Sequence, residues 1–249
     1  MSQTDAPDTG DEPRYRERPV SFARRSGRMS DGQERAWNEL GSFYAVPVER
    51  DQALLSVRPG SEVDPAALFG RSAPLIVEIG SGQGHAIVAA AQAAPETDFL
   101  AVEVFRAGLA RTMLDADRAG ARNLRLVEAN APEVLEHLLP AASVDELWIF
   151  FSDPWHKTRH TKRRLISPDF TPLAARVLKP GGVLRLATDW EDYARQMREV
   201  MADAAGFTPG FEGDWAPRFE GRVMTAFERK GIAKGRDIRD LAYRRTDAV

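Results

Sequence analysis

Four apolar runs in this sequence each end on a polar residue able to address a ligand. The first passes through Val77-Glu78-Ile79-Gly80-Ser81-Gly82-Gln83-Gly84-His85, an acid followed by three glycines at alternate positions. Glycines at that spacing allow a tight turn and close backbone approach to a ligand just before a helix N-terminus. Glu103 ends the second run, nineteen residues after Gly84. A carboxylate there can accept hydrogen bonds from both ribose hydroxyls of a nucleoside. Asn130 ends the third, where its amide suits either an adenine edge or an Asx turn into the next helix. Asp153 ends the fourth.

A dinucleotide site would read G-x-G-x-x-G. Here the third glycine comes one place early and His85 fills its slot. The G-x-G-x-G form behind an acid resembles the first motif of class I methyltransferases, whose donor is S-adenosylmethionine. That ligand is cationic at sulfur and at its amino group, so neighbouring carboxylates suit it better than they suit a pyrophosphate. No Lys-bearing phosphate loop is present, which excludes P-loop nucleotide hydrolysis. The chain has no cysteine. Disulfides, Cys-ligated zinc and covalent Cys attack on a pyrimidine are therefore excluded.

Asp153 begins the most informative stretch, Asp153-Pro154-Trp155-His156-Lys157-Thr158-Arg159-His160-Thr161-Lys162-Arg163-Arg164. It strongly resembles the P-D-P-W-x-K-x-R-H-x-K-R-R motif of the bacterial tRNA (guanine-N7)-methyltransferase family, with Ser152 in place of the first Pro. Ser21-Phe22, Arg24–Arg28, Val102-Glu103, Ala187–Trp190 and Thr225–Glu228 with Gly231 extend the resemblance over roughly 20–245. It implies methyl transfer from S-adenosylmethionine to N7 of a guanine in the tRNA variable loop, expected at tRNA position 46. It implies that Glu78, Gly80, Gly82, Gly84, Glu103, Asn130 and Asp153 bind the cofactor, with Asp153 also catalytic. Family members often carry Asp at the Asn130 position. Lys157, Asp189, Thr225, Ala226, Phe227 and Glu228 would contact the guanine or nearby RNA. Arg159, His160, Thr161, Lys162, Arg163 and Arg164 would lie on the tRNA.

The chemistry fits these residue types. Guanine N7 has an in-plane lone pair and no proton to lose, so no general base is required. The protein must align N7 with the methyl group and exclude water. Positive charge passes to the purine during transfer, and a fixed carboxylate, Asp153, favours it. Asp189 or Glu228 would accept from the guanine N1–H and amino group. Trp155 either stacks on the base or packs under the sheet edge; base stacking is worth about 1–3 kcal/mol. The alternative function is methylation of another RNA base or an amino group. An RNA-binding module on a decayed fold and an NAD-dependent oxidoreductase are further rivals.

The elements that must position these residues follow from periodicity. Apolar runs at 75–79, 99–104, 124–128, 146–151 and 183–187 read as buried parallel strands. Helices fit at 84–94, 106–119, 132–139, 168–178 and 190–204, with Lys179-Pro180-Gly181-Gly182 a turn before the fifth strand. This alternation predicts an α/β, doubly wound, mostly parallel Rossmann-like sheet with helices on both faces. Such sheets bind ligands at the carboxyl ends of their strands. Upstream, Ser30 with Gln33 forms a capping box for a helix to about residue 43, Trp37 and Leu40 facing inward. Residues 45–72 read as a connector. Residues 1–13 read as disordered and 14–28 as a basic arm, giving a tail of 1–29 and one domain over 30–249.

At 249 residues and 43% apolar, the chain can bury a large core. Its net charge of −3 hides segregation. Residues 13–28, 157–164 and 222–245 each sum to +5, so a basic face on an acidic body is expected, suited to tRNA. No apolar run approaches a membrane span and no signal sequence is evident, so a cytoplasmic protein without metal is expected, as monomer or homodimer.

Overall fold

A computed structural model describes residues 29–51 and 53–246. The basic arm at 14–28, and all of the 1–29 tail but its last residue, therefore lie outside the described residues. Helices are α1 (Asp31–Tyr44), α2 (Pro65–Phe69), α3 (His85–Ala93), α4 (Arg106–Ala119), α5 (Ala131–Glu133, continued by a π-helical turn Val134–Leu138), α6 (Phe170–Val177), α7 (Glu191–Ala202) and α8 (Ala226–Ala233). Strands are β1 (Leu75–Ile79), β2 (Asp98–Glu103), β3 (Leu124–Glu128), β4 (Val144–Phe150), β5 (Leu178–Thr188), β6 (Phe207–Pro209) and β7 (Arg239–Arg245).

They form one seven-stranded sheet in the order β3-β2-β1-β4-β5-β7-β6. The first five strands run parallel; β7 is antiparallel to both β5 and β6. This is the doubly wound, mostly parallel sheet that the alternation of runs requires. The strand order reverses between β1 and β4, which opens a crevice at their carboxyl ends.

Both faces are covered, and the strand sequences show why. Along β4, Leu147 and Ile149 join the core shared with the π turn, α6 and α7. Trp148 and Phe150 join the opposite core with α1, α3 and α4. Along β2, Leu100 and Val102 alternate with Phe99 and Ala101 in the same way. Successive strand side chains point to opposite faces, so a sheet covered on both sides needs uninterrupted apolar runs.

The capping box of α1 forms: Gln33 N–H donates to Ser30 Oγ and Ser30 N–H to Gln33 Oε1. Trp37 and Leu40 are half-buried against the α4-side core. Three expectations need correction. The Lys179–Gly182 turn lies inside β5 as a bulge, since Val144 pairs with Leu178 but Glu146 pairs with Val183. The 132–139 helix is mostly a π turn. The connector at 45–72 contains α2, started by Asp64, whose carboxylate accepts from Ala66 N–H.

β6 pairs antiparallel with β7 at the sheet edge, and α8 and β7 complete the fold within the stretch whose charge read as a basic face. There Arg244 donates to Gly181 O, Arg245 to Leu178 O, and Arg239 pairs with Glu191. Much of that charge ties β7 to the rest of the domain. No helix among the described residues is long and apolar enough to cross a membrane.

Candidate methyl-transfer cleft

The turn after β1 places Gly80, Gly82 and Gly84 at φ 73°, 59° and 75°, the left-handed region that glycine enters without steric cost. Glu103 holds this turn from the end of β2. One of its oxygens accepts from Gly82 N–H at 2.8 Å; the other accepts from Val104 and Phe105 N–H at 2.7 and 3.0 Å. Two packing positions complete the turn. A Cβ on Gly108 of α4 would lie 2.3 Å from Gly82 O, and one on Gly84 would lie 2.4 Å from Thr112 Cγ2. Gly108 was not visible in the sequence because its role is set by an approach from another element.

Glu78 lies behind the turn, buried, with Oε2 lacking any hydrogen-bond partner among the described residues. Burial first, and the neighbouring Glu103 carboxylate second, push its pKa up to about 8, against a bond from the Ile87 backbone that lowers it. Ser81 Oγ, also buried, is likewise unpartnered. An orphaned buried carboxyl facing a second carboxylate suits a cationic ligand, which would supply the missing counter-charge. S-adenosylmethionine fits that requirement. Asn130 is buried at the start of α5, its N–H on Leu55 O at 2.8 Å and its amide on Glu133 at 3.3 Å.

The fourth strand end carries backbone strain. Three non-glycine residues among those described have left-handed φ, and Phe151 (56°) and Trp155 (42°) flank Asp153. Each such residue costs about 1–3 kcal/mol and persists only where its surroundings impose it. Here the surroundings are identifiable. Ser152 Oγ reaches Tyr193 OH at 3.4 Å, and the same hydroxyl accepts from Ile166 N–H at 3.0 Å. Arg164, fully buried, donates to Pro154 O at 2.8 Å, Gln196 at 2.6 Å and Asp192 at 2.5 Å. Arg164, expected on the tRNA, lines the cleft with its guanidinium turned inward onto the loop and α7.

The rest of the basic run is presented outward. Thr158–Arg163 form one 3-10 helix, with Lys157, Arg159 and Lys162 exposed. The Trp155 ring lies 5.1 Å from the Arg163 guanidinium and 5.9 Å from the His160 ring, rather than under the sheet. Slight burial, then Arg163, Arg159 and Lys157, hold the His160 imidazole below its ordinary pKa. Thr161 Oγ donates to Thr158 O.

One cleft of about 350 Å³ opens at the strand ends. Gly80, Gly82, Glu103, Asn130, Asp153, Lys162, Arg163 and Phe227 meet on its walls, joined by Trp155 and, from the α6 side, by Asp169, Phe170 and Leu173. The α6 wall went unread because its sequence looks like an ordinary amphipathic helix. Glu78 and Gly84 stand just behind the wall. Asp189 lies outside it in a shallow hollow with Trp190, accepting from Arg236 at 2.7 Å. Thr225 is buried as the N-cap of α8, accepting from Glu228 N–H at 3.1 Å, and Ala226 is half-buried. Glu228 is also buried; its carboxylate pairs with Arg218 and Arg222 and does not face the cleft.

A family described as "Putative methyltransferase" matches residues 72–241. The chain is 46% identical to a tRNA (guanine-N(7)-)-methyltransferase of Arthrobacter sp. (strain FB24), with 93% of this chain and 88% of that one covered. It is 48% identical to one from Cutibacterium acnes, covering 94% and 86%, and 43% identical to one from Pseudomonas putida, covering 98% of each. Among solved structures, it resembles the 16S rRNA methyltransferase KamB with a TM-score of 0.52 and 17% identity, covering 91% of this chain and 99% of that one. It resembles the 16S rRNA (adenine(1408)-N(1))-methyltransferase of Catenulisporales acidiphilia with a TM-score of 0.53 and 17% identity, covering 78% and 97%. Those two likenesses carry the fold.

Proposed function

The chain belongs to the tRNA (guanine-N(7)-)-methyltransferase family, and from that premise we propose that its strand-end cleft methylates N7 of a guanine in tRNA, in the variable loop. The observation that carries the reading is the meeting of the glycine turn, Glu103 and Asp153 with Lys162 and Arg163 on one cleft. One side suits a cationic nucleoside and the other a polyanion. S-adenosylmethionine supplies, when bound, a methyl group activated by its sulfonium.

The residues of this chain would do the following. Gly80 and Gly82 give backbone access, and Glu103, with Asn130, addresses the nucleoside. Glu78 supplies negative charge beneath the turn. Asp153, exposed at the cleft, favours the positive charge that develops on the purine, a fixed electrostatic contribution that needs no reorganisation. Phe227, half exposed on the wall, and Trp155 offer aromatic faces to the base. Lys157, Arg159, Lys162 and Arg163, with His160 and Thr161, face the tRNA backbone. Asp189, just past β5 and outside the cleft, and Thr225 and Ala226 at the start of α8 would border the RNA around the base.

The test is turnover of labelled S-adenosylmethionine with unmodified tRNA, followed by borohydride–aniline treatment. Chain cleavage at one variable-loop guanine is the expected result. Label in RNA that resists cleavage would place the methyl on another base or an amine.

A further inference from the structure

Behind the cleft lies a buried ion cluster that the transfer chemistry does not use. Arg222 has no exposed side-chain surface and Glu228 has 1%. Arg222 donates through both terminal nitrogens to Asp240 of β7, the Nη2–Oδ2 bond being 3.0 Å. It also donates to Glu228, Nη2 to Oε1 at 3.3 Å and Nε to Oε2 at 3.4 Å. Arg218 donates to the same two oxygens at 2.8 and 3.2 Å, and to Arg222 O at 2.7 Å.

A carboxylate offers about four acceptor sites, and four N–H groups occupy them on Glu228. Its pKa is lowered despite burial, because Arg218 and Arg222 bond to the charged form. To accept from a guanine, Glu228 would have to surrender partners inside a buried site, where an unpaired charge is costly. The cluster is instead placed to transmit position. The Arg222 guanidinium lies over the rings of Phe150 and Phe151, at 5.1 and 5.6 Å. Phe151 is the left-handed residue two before Asp153. Glu228 N–H bonds the Thr225 cap, and Phe227, next in the chain, is on the cleft wall. Asp240 pairs with Ala187 in the sheet, next to Thr188 and Asp189.

We propose that Glu228, Arg222, Arg218 and Asp240 are positioning residues that hold the first turn of α8, with Phe227, against the Phe151–Asp153 turn, and that none of the four touches the base. This rests on the reading of the cleft as the transfer site. It separates Glu228 from the residues that border the substrate.

The test uses the full-length enzyme on two transcripts, one with the target guanine and one with inosine there, which lacks the 2-amino group a base-reading carboxylate would accept. Wild-type product that resists borohydride–aniline cleavage would refute the function rather than the cluster. Glu228→Gln and Asp240→Asn should each lower kcat by about tenfold or more on both transcripts, because a displaced wall misaligns the base. The guanine-to-inosine ratio and the cofactor Kd should stay within about twofold, and the double variant should be no worse than the poorer single one, as for residues acting as a unit. Arg222→Lys, which keeps the charge, should retain more turnover than Arg222→Gln. A collapsed guanine preference in Glu228→Gln beside wild-type behaviour of Asp240→Asn would make Glu228 a base reader. Wild-type kcat in both variants would leave the cluster a stability element only. Should either variant fail to fold, Arg218→Gln at the half-exposed edge gives the same readouts, with the same outcomes deciding.

Discussion

Arg163 and Arg164 both line the cleft, but the buried guanidinium of Arg164 donates to the backbone carbonyl of Pro154 at 2.8 Å while that of Arg163 lies 5.1 Å over the Trp155 ring. Adjacent arginines in one basic run therefore do different work. Arg163→Gln should weaken tRNA binding and flatten the slope of log K against log salt by about 0.7 for a single-strand phosphate contact. Arg164→Gln should leave that slope unchanged. It should instead destabilise the fold by roughly 2 kcal/mol, the usual loss for charge-assisted bonds made by a buried guanidinium, or about 4–8 °C in Tm. Salt-dependent binding and thermal melts of both variants check this. An Arg164 variant with the flattened slope and an unchanged Tm would reverse the assignment.

Gly108 lets α4 approach the glycine turn. On helix propensity alone, Gly→Ala stabilises by about 0.5–1 kcal/mol. Gly41, in α1 with open space at its Cβ, should show that gain. Gly108→Ala should not, because its Cβ would stand 2.3 Å from the Gly82 carbonyl, a backbone atom that the turn fixes. The expected result is a raised cofactor Kd together with lowered Tm. Calorimetric binding and melting of the two variants decide the point; unchanged cofactor affinity in Gly108→Ala would show that the turn tolerates the shift.

The strands were legible because burial on both faces demands continuous apolar runs, and residues 75–77, 99–102 and 147–150 have them. The strand-end residues followed from topology, since ligands gather where such runs stop. What the sequence concealed depends on partners distant in the chain. Arg164 read as a tRNA contact and Arg222 as part of a basic face until Asp192, Gln196, Glu228 and Asp240 are brought beside them. The β7 strand, Arg239–Arg245, has charged pairs at both ends of a three-residue apolar centre, so its charge dominated its pattern. Lys179–Gly182 has the composition of a turn whether it precedes a strand or bulges within one.

Glu78 should give both stability and cofactor binding a pH dependence. Its pKa is raised from an ordinary 4.5 to about 8 by burial and by Glu103. Between those values the folded state holds a proton that the unfolded state has released, so this group makes the cofactor-free protein less stable as pH rises through that window. A cationic ligand favours the charged carboxylate, so cofactor affinity should rise over the same range and binding should release a proton. Calorimetry in two buffers of different ionisation enthalpy measures that release. Glu78→Gln should abolish it and flatten its share of the stability profile. Proton release that persists in Glu78→Gln would assign it to another group.

Asp153 is exposed on the cleft, so replacing it should affect chemistry rather than folding. Asp153→Asn keeps the shape of the side chain and removes the charge. Removing one preorganised group that stabilises developing charge typically lowers kcat by about 10²–10³-fold, and a comparable loss is expected here. Tm should stay within about 2 °C, since exposed substitutions away from packed features change stability by about 0.5 kcal/mol or less. Asp153→Ala should remove turnover altogether while the protein still melts cooperatively. Single-turnover rates with saturating cofactor isolate the transfer step from binding. Near-wild-type single turnover in Asp153→Asn would show that the carboxylate does not act on the purine charge and would shift that role to another residue of the cleft.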